Sequence, residues 1–163
     1  MSRKYYISDT ELPPLTQCRD LGVVITSDLS SSNHIQQITA KAHQRANNIL
    51  RCFVSGNTSL LVRAFLVYVR PVLEYNSVVW SPHLIQDITR IEKVQRHFTK
   101  RLRGLRNLSY VERLTKLGLP SLELRRLQLD LIYCYKIVFG LVKLNCADFF
   151  RVFYCVKYER TCL

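Results

Sequence analysis

The chain has 163 residues, which suits one domain or one and a half, and a core of that size needs neither a metal ion nor a disulfide to fold. Its hydrophobic fraction of 48% excludes an intrinsically disordered chain. A formal net charge of +12 is typical of proteins that bind nucleic acid or an anionic membrane surface.

The N-terminal composition and the cysteines indicate an intracellular protein of the cytoplasm or nucleus. The first fourteen residues lack the apolar run of a secretory signal peptide, so we expect a protein that is not secreted. The cysteines form no C-x-x-C pair, which favours reduced thiols over a disulfide framework or a zinc site. The most apolar run, residues 131–142, is too short to span a membrane, for which roughly 20 residues are needed.

The first thirty residues predict a short β-hairpin. Residues 4–8 (KYYIS) favour one strand. Residues 19–26 (RDLGVVIT) alternate apolar and polar side chains, which predicts a second strand with Gly22 at a bulge or at a close approach of the backbone. We therefore assign residues 1–30 to this hairpin.

A helical region is expected from residue 31 to residue 142. Asn33 is the predicted N-cap of a first helix over residues 34–53, with Gln36 as its capping-box partner. Thr58 or Ser59 is expected to cap a second helix.

Pro71 allows two interpretations of the segment that follows. A proline inside a helix removes one hydrogen bond and clashes with the preceding turn, so the second helix could kink there. Alternatively that helix ends at Arg70 and a new one begins with Pro71 in its first turn.

The clearest helical periodicity lies in a third helix that begins at Leu84 and ends before Gly104. Apolar side chains recur every three or four residues, which predicts one buried face. These residues are Ile88, Ile91, Val94, Phe98, Leu102 and Leu105. At about 100° per residue, five basic side chains fall on one arc well away from that face. They are Arg90, Lys93, His97, Lys100 and Arg101.

The charge of this helix is nearly one-signed. Between Arg90 and Arg106 the chain carries seven lysines and arginines and a single acid, Glu92. A solvated charged face usually carries interleaved acids, whereas a one-signed face suits an anionic partner. Both a solvated face and a nucleic-acid surface stay open from this pattern alone.

Two further helices complete the predicted bundle. Ser109 and Glu112 predict a capping box for a helix over residues 110–117. The last helix covers residues 122–139, and its broad apolar arc predicts burial on more than one side. Residues 143–163 form an aromatic-rich tail without an assigned structure. The sequence thus predicts a mainly α protein, a helical bundle of about five helices with a short N-terminal β-hairpin.

The sequence contains no recognisable catalytic motif. Two-metal polymerases and nucleases need clustered carboxylates, but the twelve acids include no adjacent Asp-Asp or D-x-D pair. Phosphate-binding glycine loops and a G-x-S-x-G elbow are also absent. The four histidines show no metal-ligand spacing. We therefore predict no catalytic residues, no metal site and no cofactor.

Five stretches of the chain, taken in order, carry a family pattern. They are DLGVVI, NHI…KAHQR, YVRPVLEYNSVVWSP, IEKVQRHFTKRLRGLRNLSYVERLTKLGLPSLELRR and DLIYCYKIVFGLV. Together they resemble the C-terminal end of a non-LTR retrotransposon reverse transcriptase of the jockey-like LINE type, over roughly residues 19–142. The resemblance implies that residues 1–30 close the palm and that residues 31–142 form the thumb and the region after it.

The resemblance implies a role without catalysis. In that family the F-A-D-D carboxylates lie upstream of the matched region, so we expect a fragment of an RNA-directed DNA polymerase that is not an enzyme on its own. A thumb-like module would hold RNA and DNA, the template–primer, by the backbone and without sequence preference. The expected contacts are Arg90, Lys93, His97, Lys100 and Arg101, with Arg103 and Arg106 at the edge.

Two alternatives stay open. The chain could be a relic without retained activity that self-associates through surfaces left by a missing palm, among them Tyr5, Leu21, Val23 and the C-terminal aromatics. It could instead be a basic amphipathic binder of membrane surfaces, although we expect no membrane partner. Flotation with liposomes at low and high salt distinguishes a membrane binder from a nucleic-acid binder.

Overall fold

The computed structural model describes residues 5–53 and 56–150, and this part of the chain is mainly α-helical, as predicted. Its helices are α1 (Ser32–Cys52), α2 (Thr58–Tyr68), α3 (Arg70–Glu74), α4 (Ser77–Trp80), α5 (Ile85–Lys100), α6 (Tyr110–Leu117) and α7 (Leu122–Val138), followed by a 3-10 turn at Cys146–Asp148. Five of these α-helices have eight or more residues, which matches the predicted bundle of about five helices.

The tail aromatics Phe153, Tyr154 and Tyr158 lie outside the described residues.

The N-terminal region contains two small hairpins where the sequence predicted one. Strand β1 (Tyr6–Ile7) pairs with β2 (Thr10–Glu11), and β3 (Gln17–Asp20) pairs with β4 (Val23–Thr26), both antiparallel.

The single strand predicted over residues 19–26 is wrong, because the chain reverses in its middle. Leu21 and Gly22 have φ angles of 44° and 87°. Positive φ at both central positions of a two-residue loop is the type I′ hairpin turn. Gly22 therefore belongs to a turn and not to a bulge.

The hairpin of β3 and β4 packs against helix α1 and the core. Val23 and Val24 are both buried, and Val23 belongs to the main hydrophobic core. The Val24 N–H donates to Nδ1 of His34 at 3.2 Å, and the Tyr75 hydroxyl donates to the Leu21 carbonyl at 3.1 Å. Val23 is therefore not a surface left by a missing palm, and this expectation is corrected.

Two helix caps differ from the prediction. Helix α1 begins at Ser32 after Ser31, which makes no side-chain capping hydrogen bond, so the predicted box of Asn33 and Gln36 is wrong. The Asn33 side-chain amide instead donates to Oε1 of Gln17 at 2.8 Å, and this contact links α1 to β3. Helix α2 is capped by Asn57, whose side chain accepts from the backbone N–H groups of residues 59 and 60.

Other helix ends follow the predicted chemistry. Helix α3 is separate from α2 and carries Pro71 in its first turn, which confirms the second of the two interpretations. In α6, Ser109 Oγ accepts from the Glu112 N–H at 3.3 Å, and Glu112 Oε2 accepts from the Ser109 N–H at 2.7 Å. The predicted capping box is confirmed.

The core lies between α1, α2, α3 and α5. The rings of Phe65 and Phe98 stack with centroids 4.5 Å apart, and Ile35 and Leu73 are fully buried beside them. The predicted apolar face of α5 is buried except for Ile88, which is half-buried. Because α5 also packs against α6 and α7, it is the central helix of the bundle.

Helix α7 is only partly covered. Its buried residues are Leu122, Arg126 and Ile137, on the side that packs against α4 and α5. Leu127 and Leu131 are more than half exposed, so the predicted burial of α7 on more than one side is wrong for the described residues.

Among the helices of residues 5–53 and 56–150, none has both the length and the apolarity that a bilayer crossing needs.

Candidate nucleic-acid interface

An open depression lies at the C-terminal end of α5. It has a volume of about 660 Å³ and contains five of the seven residues predicted as nucleic-acid contacts. Its lining consists of His97, Lys100, Arg101, Leu102, Arg103, Gly104 and Arg106. No aspartate or glutamate occurs among these residues, so the depression favours an anion.

A second depression adjoins the first and brings in α1. It shares His97 and Lys100 with the first depression and adds His43, Lys93 and Arg96. The rings of His43 and His97 lie with centroids 5.8 Å apart. Burial, helped by the charge of His97, holds the pKa of His43 below its ordinary value. The two depressions define what we call the basic surface: His43, Lys93, Arg96, His97, Lys100, Arg101, Arg103 and Arg106.

The local fold explains why these side chains point the same way. Lys93, His97 and Lys100 recur at helical spacing on the side of α5 away from Ile91 and Phe98. After the helix ends, Leu102 and Leu105 are buried, whereas the three arginines before, between and after them are exposed. Two buried leucines thus anchor a short turn that presents Arg101, Arg103 and Arg106.

Arg90 does not line either depression. Its Nη1 lies 3.0 Å from Oδ1 of Asp87, which is 2% exposed and also accepts a hydrogen bond from the Ser32 hydroxyl. This contact ties the start of α5 to α1. Within residues 5–53 and 56–150, Arg90 is thus the one predicted contact that is engaged in an ion pair.

Glu92, the single acid of the basic run, is turned away from the basic surface. It is 8% exposed, and its Oε2 accepts from the Leu122 N–H at 3.0 Å and from the Glu123 N–H at 3.3 Å. The Tyr110 hydroxyl donates to its other oxygen. The carboxylate is therefore used inside the bundle, and the positive charge of the surface is not neutralised by it.

Two arginines of the surface have contacts that position them. Arg101 donates from Nη1 to Oδ1 of Asn47 on α1 at 2.7 Å. The Arg103 side chain lies over Gly56, where a Cβ atom would come within 3.0 Å of the guanidinium carbon. Neither contact removes the positive charge, so both side chains stay able to bind phosphate.

Sequence reasoning missed two members of the surface. Arg96 was counted among the basic residues of α5 but was not placed on the predicted basic arc. Its guanidinium lies 4.8 Å from the centroid of the Tyr110 ring. A cation over an aromatic face is held in place while its charge remains exposed. His43 comes from another helix, and no pattern along the chain links it to His97.

The site offers little to a metal ion. In the part of the chain that the structure describes, no three histidine, cysteine or acidic side chains come together as a metal site would require. His43 and His97 form only a pair, and the neighbouring Lys93, Arg96 and Lys100 would repel a cation. Phosphate is a better match for this chemistry.

Comparison with known proteins finds similarity over part of the chain. An uncharacterized protein of Caenorhabditis elegans is 28% identical over 111 residues, which cover 66% of this chain and 56% of that protein. The matched region therefore spans little more than half the length of that relative. No protein-family model matches the sequence, and no solved structure matches it.

Proposed function

We propose that the chain is a nucleic-acid-binding module that holds the phosphate backbone through the basic surface, and that it derives from the thumb region of a non-LTR reverse transcriptase. The observation that carries the proposal is the one-signed surface at the end of α5, whose single nearby acid is buried in the other direction. No other feature of the described residues supports a second function as strongly.

The charge of the surface is large for its size. Lys93, Arg96, Lys100, Arg101, Arg103 and Arg106 contribute six formal positive charges, half of the net +12 of the chain. Cations packed this closely repel one another, and a nucleic-acid backbone relieves the repulsion while it releases counterions. The remaining half of the charge is distributed over the rest of the chain.

The resemblance to reverse transcriptases supports the same interpretation. It extends over roughly residues 19–142 and implies a thumb, whose task is to hold a template–primer duplex. Contacts to phosphates carry no sequence information, so we expect RNA–DNA hybrids and DNA duplexes of any sequence to bind. The module would position nucleic acid and would not itself catalyse a reaction.

A salt titration tests this function. Each neutralised phosphate contributes a slope of about −0.9 in log K against log salt on duplex DNA, so four or five contacts give roughly −3 to −5. Lys93→Gln combined with Lys100→Gln should reduce that slope by about 2 and weaken all sequences alike. Both side chains are exposed, so stability should change by less than about 0.5 kcal/mol per site.

The matched control removes the same charge elsewhere. Lys41 lies on α1 in a separate depression with Arg19 and Tyr75, and Lys143 is exposed beyond α7. Changing both to Gln should leave the slope nearly unchanged. Equal loss of affinity in the two double variants would show diffuse attraction to a basic protein and would reject the proposed interface.

A further inference from the structure

A row of exposed apolar side chains runs along α7, and we propose that it pairs with the same row of a second copy of this chain in an antiparallel two-helix dimer. We call this row the α7 stripe. It consists of Leu124, Leu127, Leu131, Tyr135 and Val138, whose exposed fractions are 46%, 54%, 60%, 54% and 50%. This proposal does not rest on nucleic-acid binding.

The stripe lies opposite the side by which α7 is already packed. At about 100° per residue, the stripe centres near Leu131, whereas Leu122, Arg126 and Ile137 fall roughly 150° away. Those three residues are buried against the bundle. Helix α7 therefore has one side packed against the bundle and, opposite it, an apolar side that is not covered within the described residues.

The spacing of the stripe is symmetric about its centre. The five residues follow one another at intervals of three, four, four and three, which is the spacing of a helix–helix seam. The intervals read the same in both directions. A twofold axis through Leu131 therefore places Leu124 opposite Val138 of the second copy, and Leu127 opposite Tyr135.

This symmetry, together with the exposed apolar area, points to a second copy as the occupant. A twofold interface uses the same patch on both subunits, so the patch must be complementary to itself. An apolar row that is palindromic in spacing and has a leucine at its centre meets that condition.

The exposed area also fits a stable dimer. Ile132, Phe139 and Leu141 flank the stripe and are 51%, 62% and 65% exposed. A large side chain that is half exposed offers roughly 100 Å², given that an aromatic residue buries 150–250 Å² in full. The stripe and its neighbours thus expose roughly 800 Å², which is the upper limit of what α7 can bury and reaches the area that each partner buries in a standard interface.

Charges placed on the symmetry axis test the pairing directly. Leu131→Glu sets two carboxylates against each other in the dimer, and Leu131→Lys sets two ammonium groups against each other, so each variant alone should be monomeric. An equimolar mixture should restore a dimer, because the two introduced charges then attract. Light scattering after size-exclusion chromatography of the full chain gives the mass in each case.

The control charge is placed on another helix. Val111 on α6 is 72% exposed, so Val111→Glu adds the same charge without touching the stripe and should leave the dimer intact. Circular dichroism of all variants establishes that the helices are retained. A wild-type chain that is monomeric at every concentration overturns the proposal, as does a Leu131→Glu chain that still dimerises or a mixture that fails to pair.

Discussion

The carboxylate of Glu92 on α5 accepts a hydrogen bond from the backbone N–H of Leu122 at 3.0 Å, at the first residue of α7. A negative charge at a helix N-terminus satisfies backbone donors that have no partner inside the helix and interacts favourably with the helix dipole. Since the Tyr110 hydroxyl donates to the same carboxylate, one buried side chain holds α5, α6 and α7 together.

Removing this carboxylate should cost stability without changing the basic surface. Glu92→Ala leaves the Leu122 and Glu123 N–H groups and the Tyr110 hydroxyl without their acceptor, at a cost of about 1–3 kcal/mol. Urea unfolding measures the loss. The control Glu123→Ala removes an exposed acid from the first turn of α7 and should cost less than about 1 kcal/mol. Equal losses would mean that charge alone matters at this junction.

Acid should destabilise the fold through His34. Burial and the positive charge of Arg19 hold the pKa of His34 below its ordinary value of 6.5, so folding favours the neutral ring. The unfolded chain binds the proton more readily, and stability is therefore full above about pH 6.5 and falls as the pH drops below that value. Protonation also removes the acceptor of the Val24 N–H.

Thermal unfolding between pH 7.5 and pH 5 measures this dependence. His34→Gln keeps a polar group near Val24 but cannot titrate, so its midpoint should be lower at pH 7.5 and change less on acidification. The half-buried His43 has the same sign of shift and contributes a further part of the dependence. A His34→Gln chain with an unchanged pH slope would contradict the assignment to His34.

The turn at Leu21 can be improved. Leucine at a φ of 44° is strained by roughly 1–2 kcal/mol, whereas asparagine adopts this conformation readily. Leu21 is 80% exposed, so Leu21→Asn loses little burial and should raise the free energy of unfolding by about 1 kcal/mol. The opposite control is Gly22→Ala, which places a Cβ atom at a φ of 87° and should destabilise. Urea unfolding of both variants decides whether the turn is type I′.

We expect no polymerase activity from this chain. Asp87 and Glu92 are the buried acids of the described residues, and each is held by protein donors that a metal ion would have to displace. A primer-extension assay with Mg²⁺ or Mn²⁺ should incorporate nothing above a blank without protein. Extension by a clean preparation would show an active site that these residues do not reveal.

Local chemistry was readable from the sequence at several helix ends where neighbouring residues decide the outcome, although not at the cap of α2. Ser109 and Glu112 form the expected box, because both partners of the box lie in one turn. Pro71 separates α2 from α3 for the same local reason. The apolar face of α5 was predictable since Phe98 and its neighbours at helical spacing have to be buried together.

Features set by distant contacts were not readable. The turn at Leu21 and Gly22 lacks the Asn-Gly signal, and the Leu21 carbonyl is held there by the hydroxyl of Tyr75, the residue after α3. Periodicity predicts an apolar row on α7 but does not show what covers it. In the site, the ion pair of Arg90 with Asp87 is a local contact, and it was missed because Asp87 precedes the segment over which the charges were counted.

The buried and charged sides of α5 have no residue in common, and this separation has an evolutionary consequence. Phe98 and Leu102 are needed for folding, whereas Lys93 and Lys100 are exposed and contribute little to it. Descendants of this sequence can therefore lose their lysines by drift and still fold. If nucleic-acid binding is under selection, positive charge at residues 93 and 100 should persist among them as firmly as the aromatic ring at residue 98. If binding has lapsed, the charged positions should vary freely while the core positions stay fixed.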